Sequence, residues 1–337
     1  MSGPRVLFAG FPFPPDGDTL ERRLFGDDAV LDYARVDRPD AIAEDRWRSA
    51  EAIMLFRFPL TAARIALLDR CRIVVRYGVG VDRIDRIALA ARGIPLCNTP
   101  DYGTTEVADH AVALMLALRR GIAAYNARLR DDLPGAWTAE AATGLRRMGV
   151  QRAAVIGLGR IGTAVALRLR AFGVAVTAYD PYVPQGAELA LGVGRAETLE
   201  EALDGADLLT LHAPLTRRTQ GMIDAAALAR LAPGAVVVNT ARGAIIDLDA
   251  LAAALRSGHI HAAGLDVLPE EPPDPAHPLI AAWAAGEAWI AHRLIITPHA
   301  AFHSPEAEAD MRRKAAETAA LYLREGRLRN HCPPDAM

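Results

Sequence analysis

An α/β fold in two domains, each built on a parallel sheet, is what this sequence predicts, and three observations lead there. Short runs rich in valine and isoleucine alternate with helical stretches along the chain, the pattern of strands covered on both faces by helices. The alternation forms two blocks laid end to end, separated by the less regular "YNARLRDDLPGAW". The length of 337 residues also exceeds the roughly 250 to 300 at which a single core stops growing.

In the first block "RVLFAG", "EAIMLFRF", "RIVVRYG" and "GIPLCN" read as strands and "LTAARIALLDRC" as a helix, by apolar run length and β-branched content. "TTEVADHAVALMLALRRG", from Thr104, reads as a long apolar helix with threonines at its start, acids in its first turns and basic residues in its last, as capping and the helix dipole favour. The second block starts at "RAAVIGLG" and continues through "VAVTAYD", "ADLLTLHAP", "GAVVVNTARG", "HIHAAGLDV" and "RLIITPH". The final "SPEAEADMRRKAAETAALYLREG" reads as one helix with Ser304 as cap and Pro305 in its first turn.

Composition removes several classes of function. The chain is 51% hydrophobic and 23% charged, and no apolar run approaches the roughly 18 residues of a membrane span. The opening "MSGPRVLFAGFPFPP" lacks the basic leader and cleavage site of a secretory signal, so a cytoplasmic location is expected. With 38 basic against 41 acidic side chains and a net charge of −3, nothing marks a nucleic-acid surface. Cys71, Cys97 and Cys332 are odd in number and widely spaced, neither a disulfide framework nor a metal knuckle. No metal is expected.

Gly157, Gly159 and Gly162 form G-x-G-x-x-G directly after a strand and at the start of a helix. The first glycine permits a tight turn, the second lets a pyrophosphate approach the backbone, and the third packs helix on strand, with phosphate at the helix N-terminus. Asp180 ends the next strand 18 residues after Gly162, where a carboxylate can accept hydrogen bonds from the adenosine ribose. A carboxylate there also repels a 2′-phosphate, so NAD is expected over NADP. The competing reading makes Asp180 a cap of the "DPY" turn. Glycine turns also serve S-adenosylmethionine, which leaves a methyltransferase open at this point.

Three further signals, "NTARG", "GLDVLPEEP" and "TPHAAF", lie at or after strand ends of the second block, where open parallel sheets bind ligands. Arg242 offers a planar, always-charged guanidinium for a carboxylate or carbonyl. His299 can pass a proton to a carbonyl oxygen, with a carboxylate such as Glu271 to orient it and favour its protonated form. Taken singly, each residue equally suits a structural role.

Together, the order arginine, glutamate, histidine after a dinucleotide turn resembles the D-isomer-specific 2-hydroxyacid dehydrogenases. The resemblance runs from "VVRYGVGVDRIDRIALAARGIPLCNTP" to "TPHAAFHSPEAEADMRRKAAE". "LCNTPDYGTTEVADHA", "VNTARGAIID" and "TPHAAFHS" are most similar to the C-terminal-binding-protein branch. It implies a Rossmann doubly wound domain, 101–302, inserted into a flavodoxin-like substrate domain made of 1–100 and 303–337. The two domains would flank a cleft, and the Thr104 helix, through Ala111, Leu114, Met115 and Leu118, would form a homodimer interface, although a helix buried within its own chain accounts for these residues adequately.

Carried over by position, the resemblance makes Arg242 the substrate-binding arginine, His299 the general acid/base and Glu271 its carboxylate partner. Asp266 would hold the nicotinamide carboxamide, and Arg160, Ile161, Pro214, Thr240 and Ala241 would line the cofactor. The N–H groups of Val79 and Gly80 would take the substrate carboxylate, with Arg57 adding charge. Two departures stand out: Glu270 adjoins Glu271, so a slipped register would exchange them, and Phe302 stands where the branch often has tryptophan. The expected activity is NAD-dependent D-2-hydroxyacid dehydrogenation of a small 2-hydroxy acid and 2-oxo acid pair. The alternative is an NAD(H)-sensing scaffold of corepressor type.

Overall fold

The computed structural model describes residues 3–10, 18–36 and 38–334, so part of the stretch read for a leader lies outside the described residues. The chain divides into two compact units, Met1–Gly103 with His303–Met337, and Thr104–Phe302.

The first unit holds five parallel strands, β1 (Arg5–Ala9), β2 (Val30–Ala34), β3 (Ala52–Leu55), β4 (Ile73–Arg76) and β5 (Leu96–Cys97). Their spatial order is β2-β1-β3-β4-β5, the flavodoxin-like order. Every residue of β3 is buried, because a central strand covered on both faces has no polar side to present. The returning helix Pro305–Glu325 is capped by Ser304, whose Oγ accepts from Ala307 N at 2.9 Å. A charged clamp anchors this helix. Arg312 donates at 2.9 and 2.8 Å to Glu21, whose carboxylate is wholly buried and would be strongly destabilising without that partner.

The second unit holds β6 (Arg152–Ile156), β7 (Ala175–Tyr179), β8 (Gly194–Arg195), β9 (Leu208–Leu211), β10 (Ala235–Asn239), β11 (Ile260–Leu265) and β12 (Leu294–Ile296). The order β12-β11-β10-β9-β6-β7-β8 is the Rossmann arrangement with one added edge strand, and its reversal lies between β6 and β9. One apolar layer covers each face, centred on Leu209, Val237 and Ala263 on one side and on Val155, Leu208 and Val236 on the other.

Two sequence expectations need correction here. Ala111, Leu114, Met115 and Leu118 are 0, 5, 0 and 3% exposed and belong to the unit's own core with Val236, Val238 and Ala262. These four side chains are occupied within the chain and are not available to a second copy. The first half of "YNARLRDDLPGAW", residues 125–131, lies in a helix, Ile122–Asp131, and the remainder is irregular as expected. This helix has no buried residue, so no strong apolar stripe marks it as a core-facing helix in sequence.

Among the described residues no helix is long and apolar enough to cross a membrane. Nor do three histidine, cysteine or acidic side chains cluster as a metal site. Burial pushes the Cys71 and Cys97 thiols up to about 12, which keeps both protonated and unreactive at neutral pH.

Candidate active site

In the Rossmann unit, the glycine turn joins β6 to the helix Arg160–Ala171. Gly157 has φ 91°, open to glycine but strained for other residues, and a Cβ there would lie 2.7 Å from Ala213 N. A Cβ at Gly162 would lie 1.9 Å from the Gly157 carbonyl oxygen, whereas one at Gly159 would meet nothing within 4 Å. Only the middle glycine therefore faces open space. No side chain caps the helix at Gly159, which leaves the first-turn N–H groups of Arg160, Ile161 and Gly162 without intrahelical partners. Room and donors together fit a pyrophosphate.

The three positions should answer differently to alanine. Gly162→Ala will destabilise the fold by about 1–3 kcal/mol through backbone overlap, read as a lower unfolding midpoint. Gly159→Ala will leave that midpoint unchanged and weaken NADH binding, measured by fluorescence titration. Equal binding in wild type and Gly159→Ala would remove the dinucleotide from this turn.

Asp180 is engaged by its own surroundings. Its Oδ2 accepts from Leu158 N at 2.8 Å and its Oδ1 from Tyr182 N at 2.9 Å, so the capping role is present and ties the glycine turn to β7. Each oxygen retains acceptor capacity. Arg218 donates to the Tyr182 hydroxyl at 3.4 Å, bringing a cation to this loop that inspection of the residues just after Asp180 misses. Pro214 and Ala241 lie after β9 and β10, and the buried hydroxyl of Thr240, next to Ala241, has no hydrogen-bond partner among the described residues. An orphaned buried hydroxyl is unfavourable, and a bound amide or ribose would satisfy it.

The chemically active groups follow β10, β11 and β12. At the end of β10, Asn239 Oδ1 accepts from Ala241 N and its Nδ2 donates to the Arg242 carbonyl, both at 2.9 Å. This pins the turn that carries the Arg242 guanidinium, which donates to the Ala241 carbonyl at 2.7 Å. Beyond β12, His299 Nδ1 lies 2.8 Å from Glu271 Oε2, and Glu271 Oε1 accepts from Leu268 N at 3.3 Å. Glu271 makes this contact, and its exposed neighbour Glu270 does not. Partial burial alone would raise the Glu271 carboxyl. The hydrogen bond and charge of His299, the Leu268 N–H and the Arg242 charge outweigh it and hold the group below the usual carboxylate range.

Asp266 sits beneath the histidine loop, 2% exposed. Its oxygens accept from the Thr297 hydroxyl at 2.6 Å and from Ala300 N and Ala301 N at 2.9 and 3.0 Å. His299 itself adopts φ 53°, and the Phe302 ring stands edge-on to it at 6.5 Å. Sequence reading gave Thr297 and His110 no role, although His110 Nε2 lies 3.0 Å from Thr297 Oγ1. The signal was absent because 187 residues separate the pair.

In the first unit, Val79 and Gly80 follow β4 in a turn opened by Gly78 at φ 122°. Asn98 Nδ2 donates to the Val79 carbonyl at 2.7 Å and Gly78 N to Thr99 Oγ1 at 2.6 Å. Among the described residues, neither the Val79 nor the Gly80 N–H donates to a backbone carbonyl, so both suit an anion. Arg57 and Arg76, at the carboxyl ends of β3 and β4, stand over the Phe56 ring at 5.2 and 5.8 Å. Arg76 was also missed, being the last residue of an apolar run.

Comparison with known proteins places these features in context. Residues 112–301 match the D-isomer specific 2-hydroxyacid dehydrogenase, NAD binding domain. The D-3-phosphoglycerate dehydrogenase of Mycobacterium tuberculosis (strain ATCC 25618 / H37Rv) is 37% identical over 328 residues, covering 96% of this chain and 57% of that protein. That of Mycobacterium leprae (strain TN) is 37% identical over 308 residues, covering 91% and 54%. The chain thus spans little more than half the length of these curated relatives. Among solved structures, D-lactate dehydrogenase from Aquifex aeolicus, complexed with NAD and lactic acid, superposes with a TM-score of 0.80 at 26% identity, covering 95% of both chains. A glyoxylate reductase from Paecilomyes thermophila reaches a TM-score of 0.85 at 25% identity, covering 99% of both.

Proposed function

Because the chain belongs to the D-isomer specific 2-hydroxyacid dehydrogenase family, we propose that it interconverts a small 2-oxo acid and its D-2-hydroxy acid with NAD(H). The observation that carries this reading is the 2.8 Å pair of His299 and Glu271, with Arg242 near enough for its charge to act on Glu271. Bound NAD(H) supplies or accepts the hydride. The glycine turn and Thr240 would hold it. Arg242 binds and polarises the substrate carbonyl, stabilising charge as it develops on oxygen. His299, as imidazolium, gives that oxygen its proton in reduction; as neutral imidazole it accepts the proton in oxidation. Glu271 engages Nδ1 and so leaves Nε2 for the substrate. The Val79 and Gly80 N–H groups are assigned to the substrate carboxylate.

The two D-3-phosphoglycerate dehydrogenases among the relatives and the two guanidiniums over Phe56 favour a substrate with a second anionic group, a phosphate or a distal carboxylate. A panel of 2-oxo acids with NADH tests this. The highest kcat/KM is expected for a member bearing such a group, and Arg57→Ala and Arg76→Ala should selectively raise KM for that member. A ranking led by uncharged side chains would overturn the substrate class. Binding of a protein partner that depends on nucleotide, without turnover of any member, would favour the scaffold and the C-terminal-binding-protein branch instead.

NADH is expected to be preferred over NADPH, because the Asp180 carboxylate disfavours a 2′-phosphate despite nearby Arg218. Equal kcat/KM with the two cofactors would overturn that role. A homodimer is also part of the proposal. With Ala111, Leu114, Met115 and Leu118 buried in their own unit, the exposed apolar side chains nearby in sequence, Ile122, Leu133 and Trp137 at 58, 61 and 76% exposed, are its candidate contacts.

A further inference from the structure

The histidine loop has an anchor outside itself. His299 is a non-glycine residue at φ 53°, a conformation that persists only where its surroundings enforce it. Its own N–H donates to the carbonyls of Asp266 and Thr297 at 2.8 and 2.9 Å. The next two N–H groups, of Ala300 and Ala301, both donate to the Asp266 carboxylate. The carboxylate therefore holds the loop in shape, and whatever fixes the carboxylate fixes the imidazole.

The Thr297 hydroxyl donates its one proton to Asp266 Oδ1 at 2.6 Å. Its oxygen can then only accept, and the group in place is His110 Nε2 at 3.0 Å. Hydrogen-bond direction is thereby set along the chain from His110 Nε2–H through the Thr297 hydroxyl to the Asp266 carboxylate. His110 lies on the helix Thr104–Arg119, which is packed through Ala111, Leu114 and Met115 into the core. Among the described residues, the hydrogen bonds to the Asp266 carboxylate come from residues 297–301 themselves. His110 links this loop to that core-packed helix.

We propose that His110 is a positioning residue: by donating from Nε2 to Thr297 it locks the hydroxyl onto Asp266 and so holds His299 in its reactive orientation. The proposal rests on the dehydrogenase reading for its kinetic consequence, but not for its geometry. The mechanism is preorganisation, in which a small displacement of a proton donor costs far more in rate than in binding.

Three measurements test it. In protein labelled with ¹⁵N-histidine, the His110 ring should carry its proton on Nε2; a neutral ring protonated on Nδ1 alone would overturn the proposal whatever the enzyme's substrate. His110→Gln keeps a donor at the reach of Nε2, and His110→Phe keeps ring volume without a donor. With NADH and the best oxo acid of the panel, His110→Phe is expected to lose about tenfold in kcat with KM values nearly unchanged. His110→Gln should stay within about twofold of wild type. Thr297→Val should match His110→Phe, and the double variant should be no worse than either, as expected of one chain of contacts. A fully active His110→Phe would overturn the proposal. Equal losses in His110→Gln and His110→Phe with lowered unfolding midpoints would reduce His110 to packing. Absence of turnover in the wild type would sink the dehydrogenase reading alone, since the tautomer still decides the geometry.

Discussion

Arg242→Lys is expected to lower kcat/KM by about 10²–10³-fold, the range found when a donor to a developing oxyanion is removed, while the unfolding midpoint stays near wild type. Lysine keeps the charge but not the planar fork, and an ammonium cannot reproduce two parallel hydrogen bonds from one fixed plane. The turn beneath survives because Asn239 holds the backbone of Ala241 and Arg242 rather than the guanidinium. The loss should appear in kcat as well as KM, since the interaction strengthens as charge moves onto oxygen. Near-wild-type steady-state kinetics with the preferred oxo acid would take Arg242 out of the reaction.

Glu271→Gln should move both pH limbs in one direction. Burial opposes the Glu271 charge, but His299 and Arg242 more than compensate and hold the carboxyl below its usual range, and the interaction with His299 is reciprocal: the carboxylate favours the imidazolium. A neutral amide withdraws that preference for the imidazolium over the neutral ring. Reduction requires the imidazolium, and its alkaline limb therefore shifts to lower pH. Oxidation requires neutral imidazole, and its acidic limb shifts the same way because that form becomes available earlier. In the wild type the ion pair exists only above the lowered carboxyl pKa, and its stabilising contribution is lost as pH falls through that value. Glu270→Gln should leave both limbs in place, since Glu271 makes the 2.8 Å contact. A shift in the Glu270 variant alone would mean that the pairing is assigned one residue too late.

Sequence alone determined what depends on near neighbours along the chain. The glycine turn was legible because its three glycines, the strand before it and the helix after it are contiguous, and each glycine answers a local demand, at Gly157 a positive φ and at Gly162 a backbone contact. The Ser304 cap and the buried strands were legible for the same reason, since capping and two-sided burial leave their mark within a few residues. Arg242, Glu271 and His299 were found only as an ordered set after strands, because an isolated arginine or histidine carries no signal of its partners.

Tertiary structure decided what depends on residues far apart in the chain. Helix Thr104–Arg119 is apolar whether its face meets a second copy or its own sheet, and only the fold shows Leu114 and Met115 packed inside. Helix Ile122–Asp131 has no buried residue and so no strong core-facing stripe to read. Asp266 was legible as an acid at a strand end, but not that its carboxylate carries the loop of His299. Nor could the pairing of His110 with Thr297 be read across 187 residues. Local sequence encodes conformational preference, whereas the direction of a hydrogen-bond chain is set by where the fold brings its members.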